Sequence, residues 1–154
     1  MAQNGGITAL GESICGSSDR LIQALDGLGG AELNWHPSAD QSNSIYAIVS
    51  HAMSAEERFI LGRICGQEVA PPPTATWSAE GDSAEPLRER WSALRDRIQS
   101  SLGGLSPADL DREVEHPRLG KMSGWSLLVL VDRHTAEHVG HVELTRDLLK
   151  AARA

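Results

Sequence analysis

The spacing of apolar residues in the first part of the chain is typical of an amphipathic helix. Apolar side chains recur every three or four residues over about positions 7–28, which places them on one helical face. Gly29 and Gly30 follow and are expected to end the helix. The predicted buried stripe consists of Ile7, Leu10, Ile14, Leu21, Ile22, Leu25 and Leu28.

Two further segments in the middle of the chain repeat this pattern. Ser44 is a suitable N-cap for a second helix that runs to about Gly66. A third helix is expected to open at Ser83 or Ala84 and to end at Gly103. Its charged residues between positions 88 and 97 are interpreted as a solvated face. Its apolar residues have near-heptad spacing and are Leu87, Trp91, Leu94, Ile98 and Leu102.

The segments between these helices are rich in turn-forming residues. Residues 29–43 are predicted to form a polar loop, and residues 67–82 a connection in which Pro71–Pro73 runs extended. After the third helix, Ser106 and Pro107 indicate a short capped turn. Residues 111–124 form either an irregular loop or a small hairpin.

The final helix is predicted to begin near Gly124 or Trp125 and to run to about Lys150. Four amphipathic helices with no clear strand and no internal repeat predict an all-α protein, a four-helix bundle. The bundle has a long loop between its second and third helices and a short irregular or hairpin segment before its fourth. The 154 residues are expected to form a single domain, 1–154.

Composition and charge narrow the range of functions. The formal net charge is −7 and the fourteen basic residues are dispersed, so no basic stripe is available to bind nucleic acid. No apolar run approaches the roughly 20 residues of a membrane-spanning helix. The N-terminal residues lack the basic and apolar regions of a signal peptide. The protein is therefore predicted to be cytoplasmic, with neither nucleic acid nor membrane as a partner.

Three histidines on the predicted last helix are the strongest candidates for chemistry. His138 lies about 40° from His134 around the helix, and His141 about 20° to the other side. The same face carries Leu127, Leu130, Val131, Val142, Leu148 and Leu149. Buried imidazoles need hydrogen-bond partners or a metal ion. Two neutral imidazoles four residues apart on a helix can share one metal ion.

His51 is a possible third ligand because it lies at the edge of the apolar arc of the second helix. One ligand from this helix and the pair His134 and His138 can meet between neighbouring helices of a bundle. Three nitrogen ligands leave one coordination position open, which is the pattern of catalytic zinc sites. The alternative is a set of buried histidines that hydrogen-bond within the core.

Other polar residues receive less specific interpretations. His36 and His116 each precede a proline in a loop and are predicted to be ordinary surface residues. Glu56 and Glu57 turn away from His51 and are predicted to be solvated. Glu137 lies about 60° from His134 and is either a partner of that histidine or a surface charge. The walls of a pocket are expected to come from residues 29–43 and 111–124.

Four motifs in order carry a resemblance to a known family. They are Leu33-Asn-Trp35-His-Pro37, Ser44-Ile-Tyr-Ala-Ile48-Val-Ser-His51, Leu119-Gly120, and His134-Thr-Ala-Glu-His138-Val-Gly140. Their order and separations over nearly the whole chain resemble the DinB-like superfamily, which includes bacillithiol transferases and mycothiol-dependent maleylpyruvate isomerases. The resemblance implies a divalent metal ion, zinc or nickel, bound by His51, His134 and His138.

The family usually carries Gln at the position of His141, so a metal shared by His138 and His141 remains an alternative. The sequence contains no convincing catalytic acid or base beside these histidines, and His141 and Glu137 are candidates for that role. The reacting group itself would be a metal-bound water molecule or thiol. The resemblance implies a homodimeric, metal-dependent enzyme acting on a small molecule, either a low-molecular-weight-thiol S-transferase or a hydrolase. The alternative is a non-catalytic bundle in which the metal site is structural or vestigial.

Overall fold

A computed structural model describes residues 4–71 and 76–154, which form a bundle of four long helices. The long helices are α1 (Gly5–Gln23), α3 (Ile45–Glu56), α4 (Glu85–Gly103) and α6 (Gly124–Arg153). The short elements are α2 (Gly30–Leu33), a 3₁₀ turn (Thr76–Ser78), α5 (Pro107–Asp111), and the strands β1 (Glu113–His116) and β2 (Gly120–Ser123). The predicted four-helix bundle is confirmed. The predicted extended prolines Pro72 and Pro73 lie outside the described residues.

The first helix is shorter than predicted. Beyond Gln23 the chain continues in tight turns, in which the amides of Leu25 and Leu28 donate to carbonyls three residues earlier. Gly27 then adopts a positive φ of 76°, which a residue with a side chain disfavours. The predicted loop after this helix also contains the single helical turn of α2, whose Leu33 is fully buried.

The second helix begins as predicted and ends differently. The Ala47 amide donates to the Ser44 side chain over 3.2 Å, so Ser44 is the N-cap. From Glu57 to Ile64 the chain continues as a π-helix, whose amides bond to carbonyls five residues earlier. The apolar spacing predicted an ordinary helix through this segment, and Ile60, Leu61 and Ile64 of the π-helix are buried.

The charged flank of α4 is more than a solvated face. The Arg97 guanidinium lies 2.8 Å from the Glu57 carboxylate, and that of Arg95 lies 3.3 Å from Asp19. The Trp91 indole also donates to Asp19 over 2.8 Å. These contacts tie α4 to α1 and to the π-helix, and the five predicted apolar residues of α4 are all buried.

The segment before the last helix is a hairpin rather than an irregular loop. Strands β1 and β2 are antiparallel, with Val114 opposite Met122 and His116 opposite Gly120. Gly120 has a φ of 77° at the turn. The hairpin leads directly into α6, and the Ser123 side chain caps that helix by accepting from the Ser126 amide over 3.1 Å.

Helix α6 lies at the centre of the packing. It contacts α1, α3 and the π-helix, and α1 also packs against α4. Leu127, Val131 and Val142 are buried as predicted, whereas Leu148 is 42% exposed and lies outside the core. No helix in the described ranges is both long and apolar enough to cross a membrane.

Candidate metal centre

The structure brings together His51 from α3 and His134 and His138 from α6. The Nε2 atom of His134 lies 3.2 Å from that of His51 and 3.1 Å from that of His138. Each residue offers one potential ligand atom, and these three atoms all lie within 4.8 Å of one another. Their predicted proximity is thereby confirmed. The cause is the packing of α3 against α6, which faces one imidazole toward an i,i+4 pair.

The geometry of the three imidazoles suits a metal ion. A neutral ring nitrogen offers either one proton or one lone pair, so Nε2 of His134 cannot satisfy both neighbouring Nε2 atoms by hydrogen bonding. A cation bound by three lone pairs removes this conflict. With metal–nitrogen bonds of about 2.0–2.1 Å, nitrogens around a tetrahedral ion lie roughly 3.3 Å apart. The two observed nitrogen separations are close to this value.

The surroundings keep these imidazoles neutral. Burial, together with the neighbouring His134 and Arg118, lowers the pKa of His51 to about 4. Burial and the neighbouring histidines lower the pKa of His138 to about 3, and burial also lowers the pKa of His134. Since only the neutral ring has a free lone pair, all three are in the metal-binding form at pH 7.

His141 lies beside the cluster rather than within it. Its Nδ1 atom is 3.3 Å from Nδ1 of His138, on the side of that ring opposite the converging Nε2 atoms. If the His138 lone pair is on Nε2, the proton is on Nδ1 and is donated to His141. This is the arrangement in which a neighbouring acceptor orients a metal-binding histidine. The geometry therefore favours His134, rather than His141, as the residue that shares a metal ion with His138.

Trp77 covers one side of the cluster and was not identified in the sequence. Its ring stacks on that of His51, with centroids 4.0 Å apart and planes inclined by 20°. It reaches this position from the 3₁₀ turn in the long connection between α3 and α4. The indole therefore shields one face of His51 from solvent. The irregular connection offers no periodic signal by which its contact could have been predicted.

A cavity of about 480 Å³ opens beside His51 and His134. One wall comes from α3 and the π-helix and includes Ala55 and Phe59, and another comes from α6 and includes Leu130. Residues 116–119 at the hairpin turn supply a further wall, as the sequence predicted for this segment. The cavity is large enough for a small organic molecule.

The predicted contribution of residues 29–43 to the pocket is wrong. None of the described residues that line the cavity comes from this segment. The Asn34 side chain exchanges two hydrogen bonds with the backbone of Gly81, at 3.0 and 3.1 Å. These bonds and the buried Leu33 hold the segment against other parts of the bundle.

His116 is not the surface residue that its position before a proline suggested. It is only 7% exposed, stacks on Phe59 with centroids 4.9 Å apart, and lines the cavity. Its Nδ1 atom accepts from the backbone amides of Arg118 and Leu119 over 3.2 and 3.1 Å. The hairpin buries the ring because it folds back on the π-helix, a contact that local sequence does not encode.

The prediction that Glu56 is solvated is also wrong. Glu56 is fully buried, and Ser18 and Thr135 donate to its Oε1 over 2.5 and 3.0 Å. Burial raises the pKa of Glu56 to about 7, although both hydrogen bonds act to lower it. Glu137, by contrast, is exposed, lines the cavity, and lies 3.5 Å from the guanidinium of Arg133.

Comparison with known families decides the classification of the chain. The family model of the DinB superfamily matches residues 16–142. The chain belongs to the DinB superfamily. The matched region includes His51, His134 and His138, so the three clustered histidines belong to the shared domain. The resemblance indicated by the sequence motifs is thereby confirmed.

Two solved structures share the fold of this DinB chain. A conserved protein from Enterococcus faecalis is 16% identical, with a TM-score of 0.74 and coverage of 93% of this chain and 96% of that one. YfiT from Bacillus subtilis is described as a probable metal-dependent hydrolase with an unusual four-helix bundle topology. It is 18% identical, with a TM-score of 0.69 and coverage of 92% and 87%. A search of curated proteins found no significant match.

Proposed function

We propose that this protein is a metal-dependent enzyme that acts on a small molecule, and that hydrolysis is its reaction. One observation carries the proposal: three neutral imidazoles converge at the edge of a cavity of about 480 Å³. His51 and His134 both belong to the cavity lining. A substrate in the cavity would therefore lie next to two of the three proposed metal ligands.

The ion would be held by His51, His134 and His138, and zinc and nickel both suit nitrogen ligands of this kind. When bound, a divalent ion supplies Lewis acidity, which polarises a substrate carbonyl and lowers the pKa of a water molecule or a thiol. His141 would hold the His138 ring in orientation through the contact between their Nδ1 atoms.

The chain's own residues would bind and orient the substrate. Phe59 and Leu130 offer apolar surface inside the cavity, which excludes water from the apolar part of a ligand. Glu137 is the carboxylate in the described lining of this cavity, so we assign it as the acceptor for a proton released in the reaction. Trp77 stacks on His51 and holds that ring in place.

Hydrolysis is supported by YfiT, the structural relative described as a probable metal-dependent hydrolase. Transfer of a low-molecular-weight thiol is the second candidate, and the motif resemblance to bacillithiol transferases supports it. The two reactions need the same metal site and differ in the nucleophile. Purified protein loaded with zinc or nickel should therefore be assayed against a panel of esters and amides, and against electrophiles with and without added thiols.

The metal site itself is tested by elemental analysis of single variants. We expect His51→Ala, His134→Ala and His138→Ala each to lose most of the bound metal, because two remaining ligands hold the ion poorly. His36→Ala is the matched control, since His36 is an exposed histidine in the loop before α3. Full metal retention in all three variants would overturn the proposal.

A structural metal in a non-catalytic bundle is the alternative that must be separated from catalysis. The observation that favours it is the exposure of both acid–base candidates, Glu137 and His141. Melting temperature and activity should be measured with and without a chelator. A large loss of stability together with no activity in any assay would favour the structural role.

A further inference from the structure

The pairing of the basic residues singles out one region of the molecule. All fourteen basic residues lie in the described part of the chain. Ten of them form ion pairs with carboxylates. Arg146 donates instead to the backbone carbonyls of Ala24 and Asp26. Three guanidinium groups remain without a carboxylate in the described structure, and they belong to Arg58, Arg63 and Arg118.

These three arginines are close enough to one side chain, His116, for their charges to act on it. The positive charges of Arg118, Arg58 and Arg63 add to burial in lowering the pKa of His116. Arg58 and Arg118 also line the cavity beside the three histidines. In a chain with a net charge of −7, a local excess of unpaired positive charge requires an explanation. Guanidinium groups without a protein carboxylate at a cavity are suited to an anionic ligand.

His116 adds a neutral donor to this group. Its Nδ1 atom accepts from two backbone amides, so the ring proton is on Nε2. Nε2 has no hydrogen-bond partner in the described structure, and it is not among the polar atoms that are sealed from solvent. The donor is therefore available to a ligand. Arg58 lies 5.0 Å from the Phe59 ring centroid and forms no ion pair with a carboxylate in the described structure.

We propose that the cavity binds an anionic substrate, a small molecule with a carboxylate or phosphate group that contacts Arg58, Arg118 and the Nε2 proton of His116. Its apolar part lies against Phe59 and Leu130, and its reactive bond extends toward the three histidines. This inference rests on the proposed function for the position of the reactive bond. Binding of the anion does not depend on the proposed function.

The direct test is binding of three ligands that share an apolar body. Phenylacetate, phenyl phosphate and the neutral phenylacetamide should be titrated by calorimetry into the full-length protein, both metal-loaded and after chelation. We expect at least one anion to bind at least about tenfold more tightly than the amide in both forms, because charged hydrogen bonds replace neutral ones. Comparing phenylacetate with phenyl phosphate identifies which anionic group the site prefers.

Variants locate the anion within the cavity. Arg58→Gln combined with Arg118→Gln should weaken binding of the preferred anion by at least about tenfold and leave the amide unchanged. Arg20→Gln is the matched control, because Arg20 carries the same charge in an exposed ion pair with Glu143. Circular dichroism and melting temperature verify that each variant is folded.

Three results would overturn the inference. The first is equal affinity for the amide and both anions, and the second is anion binding that the double variant retains in full. The third is anion binding that disappears on chelation, because the ligand would then be held by the metal alone. Anion binding that persists without any metal-dependent turnover would support the inference while the proposed hydrolysis fails.

Discussion

Replacing Glu56 by Gln should raise the stability of the metal-free protein at neutral and alkaline pH. Glu56 is fully buried and its Oε2 atom has no hydrogen-bond partner in the described structure. Ser18 and Thr135 donate only to Oε1. Burial raises the pKa of Glu56 to about 7 from an ordinary value of 4.5, so ionisation inside the bundle is unfavourable.

The sign of the effect follows from proton binding. Between pH 4.5 and about 7 the folded state keeps the Glu56 proton and the unfolded state releases it. The free energy of unfolding must therefore fall as the pH rises through this window. The separation of the two pKa values corresponds to about 3 kcal/mol, all of which is lost once the pH exceeds the folded-state value.

Gln matches the neutral form of Glu56 and cannot ionise. Its amide oxygen can still accept from Ser18 and Thr135, so the variant should equal the wild type near pH 4. Near pH 8 the variant should be more stable by up to about 3 kcal/mol, because it avoids a buried charge. Urea unfolding of both proteins with a chelator present, from about pH 4 to about pH 8, measures this difference.

The histidines make the free energy of unfolding rise with pH, which is the opposite trend. Comparing the Glu56→Gln variant with the wild type removes this contribution. The pKa values of His51 and His138 are depressed in the folded state, so their contribution to stability rises with pH up to about 6.5. Both proteins share this contribution, and it cancels in the difference. Glu57→Gln is a suitable control, since Glu57 is a half-buried carboxylate paired with Arg97. A Glu56→Gln effect that is the same at every pH would refute the reasoning.

Three further predictions follow from other parts of the site. His141→Leu should weaken metal binding about 10–100-fold, because His138 loses the acceptor that orients its ring. His141→Gln keeps an acceptor and should weaken metal binding much less. Competition with a chromophoric chelator measures both affinities. Binding of Ni²⁺ should quench tryptophan emission, and the Trp77→Phe variant should lose most of that quenching because Trp77 stacks on His51. Equal quenching in the variant and the wild type would contradict the position of Trp77 beside the metal site. We also expect a homodimer, which a monomeric mass by light scattering at high protein concentration would refute.

Much of the bundle was predictable because helix periodicity is a local property. Apolar residues three and four positions apart share a helical face wherever the helix packs, so the buried residues of α4 could be identified in advance. The same rule placed His134 and His138 together on α6. The spacing of seven residues also puts Arg58 near the face of His51, so the position of Arg58 beside the site is encoded in the local sequence.

Contacts between elements distant in the chain could not be read from such patterns. Glu56 was predicted to be solvated because it turns away from His51, but its hydrogen-bond donors come from α1 and α6. His116 looked exposed because it precedes a proline, and its burial results from the hairpin folding against the π-helix. Trp77 reaches His51 from an irregular segment that has no periodicity at all.

The sequence by itself determined the four amphipathic helices, the capping of the second helix by Ser44, and the histidine pair on the last helix. Only the tertiary structure decided that His51 meets this pair, that His141 lies beside Nδ1 of His138, and that two unpaired arginines line the cavity. The physical reason is that periodicity specifies which face of a helix is buried. The facing partner is set by the packing of whole elements, to which residues far apart in the chain contribute.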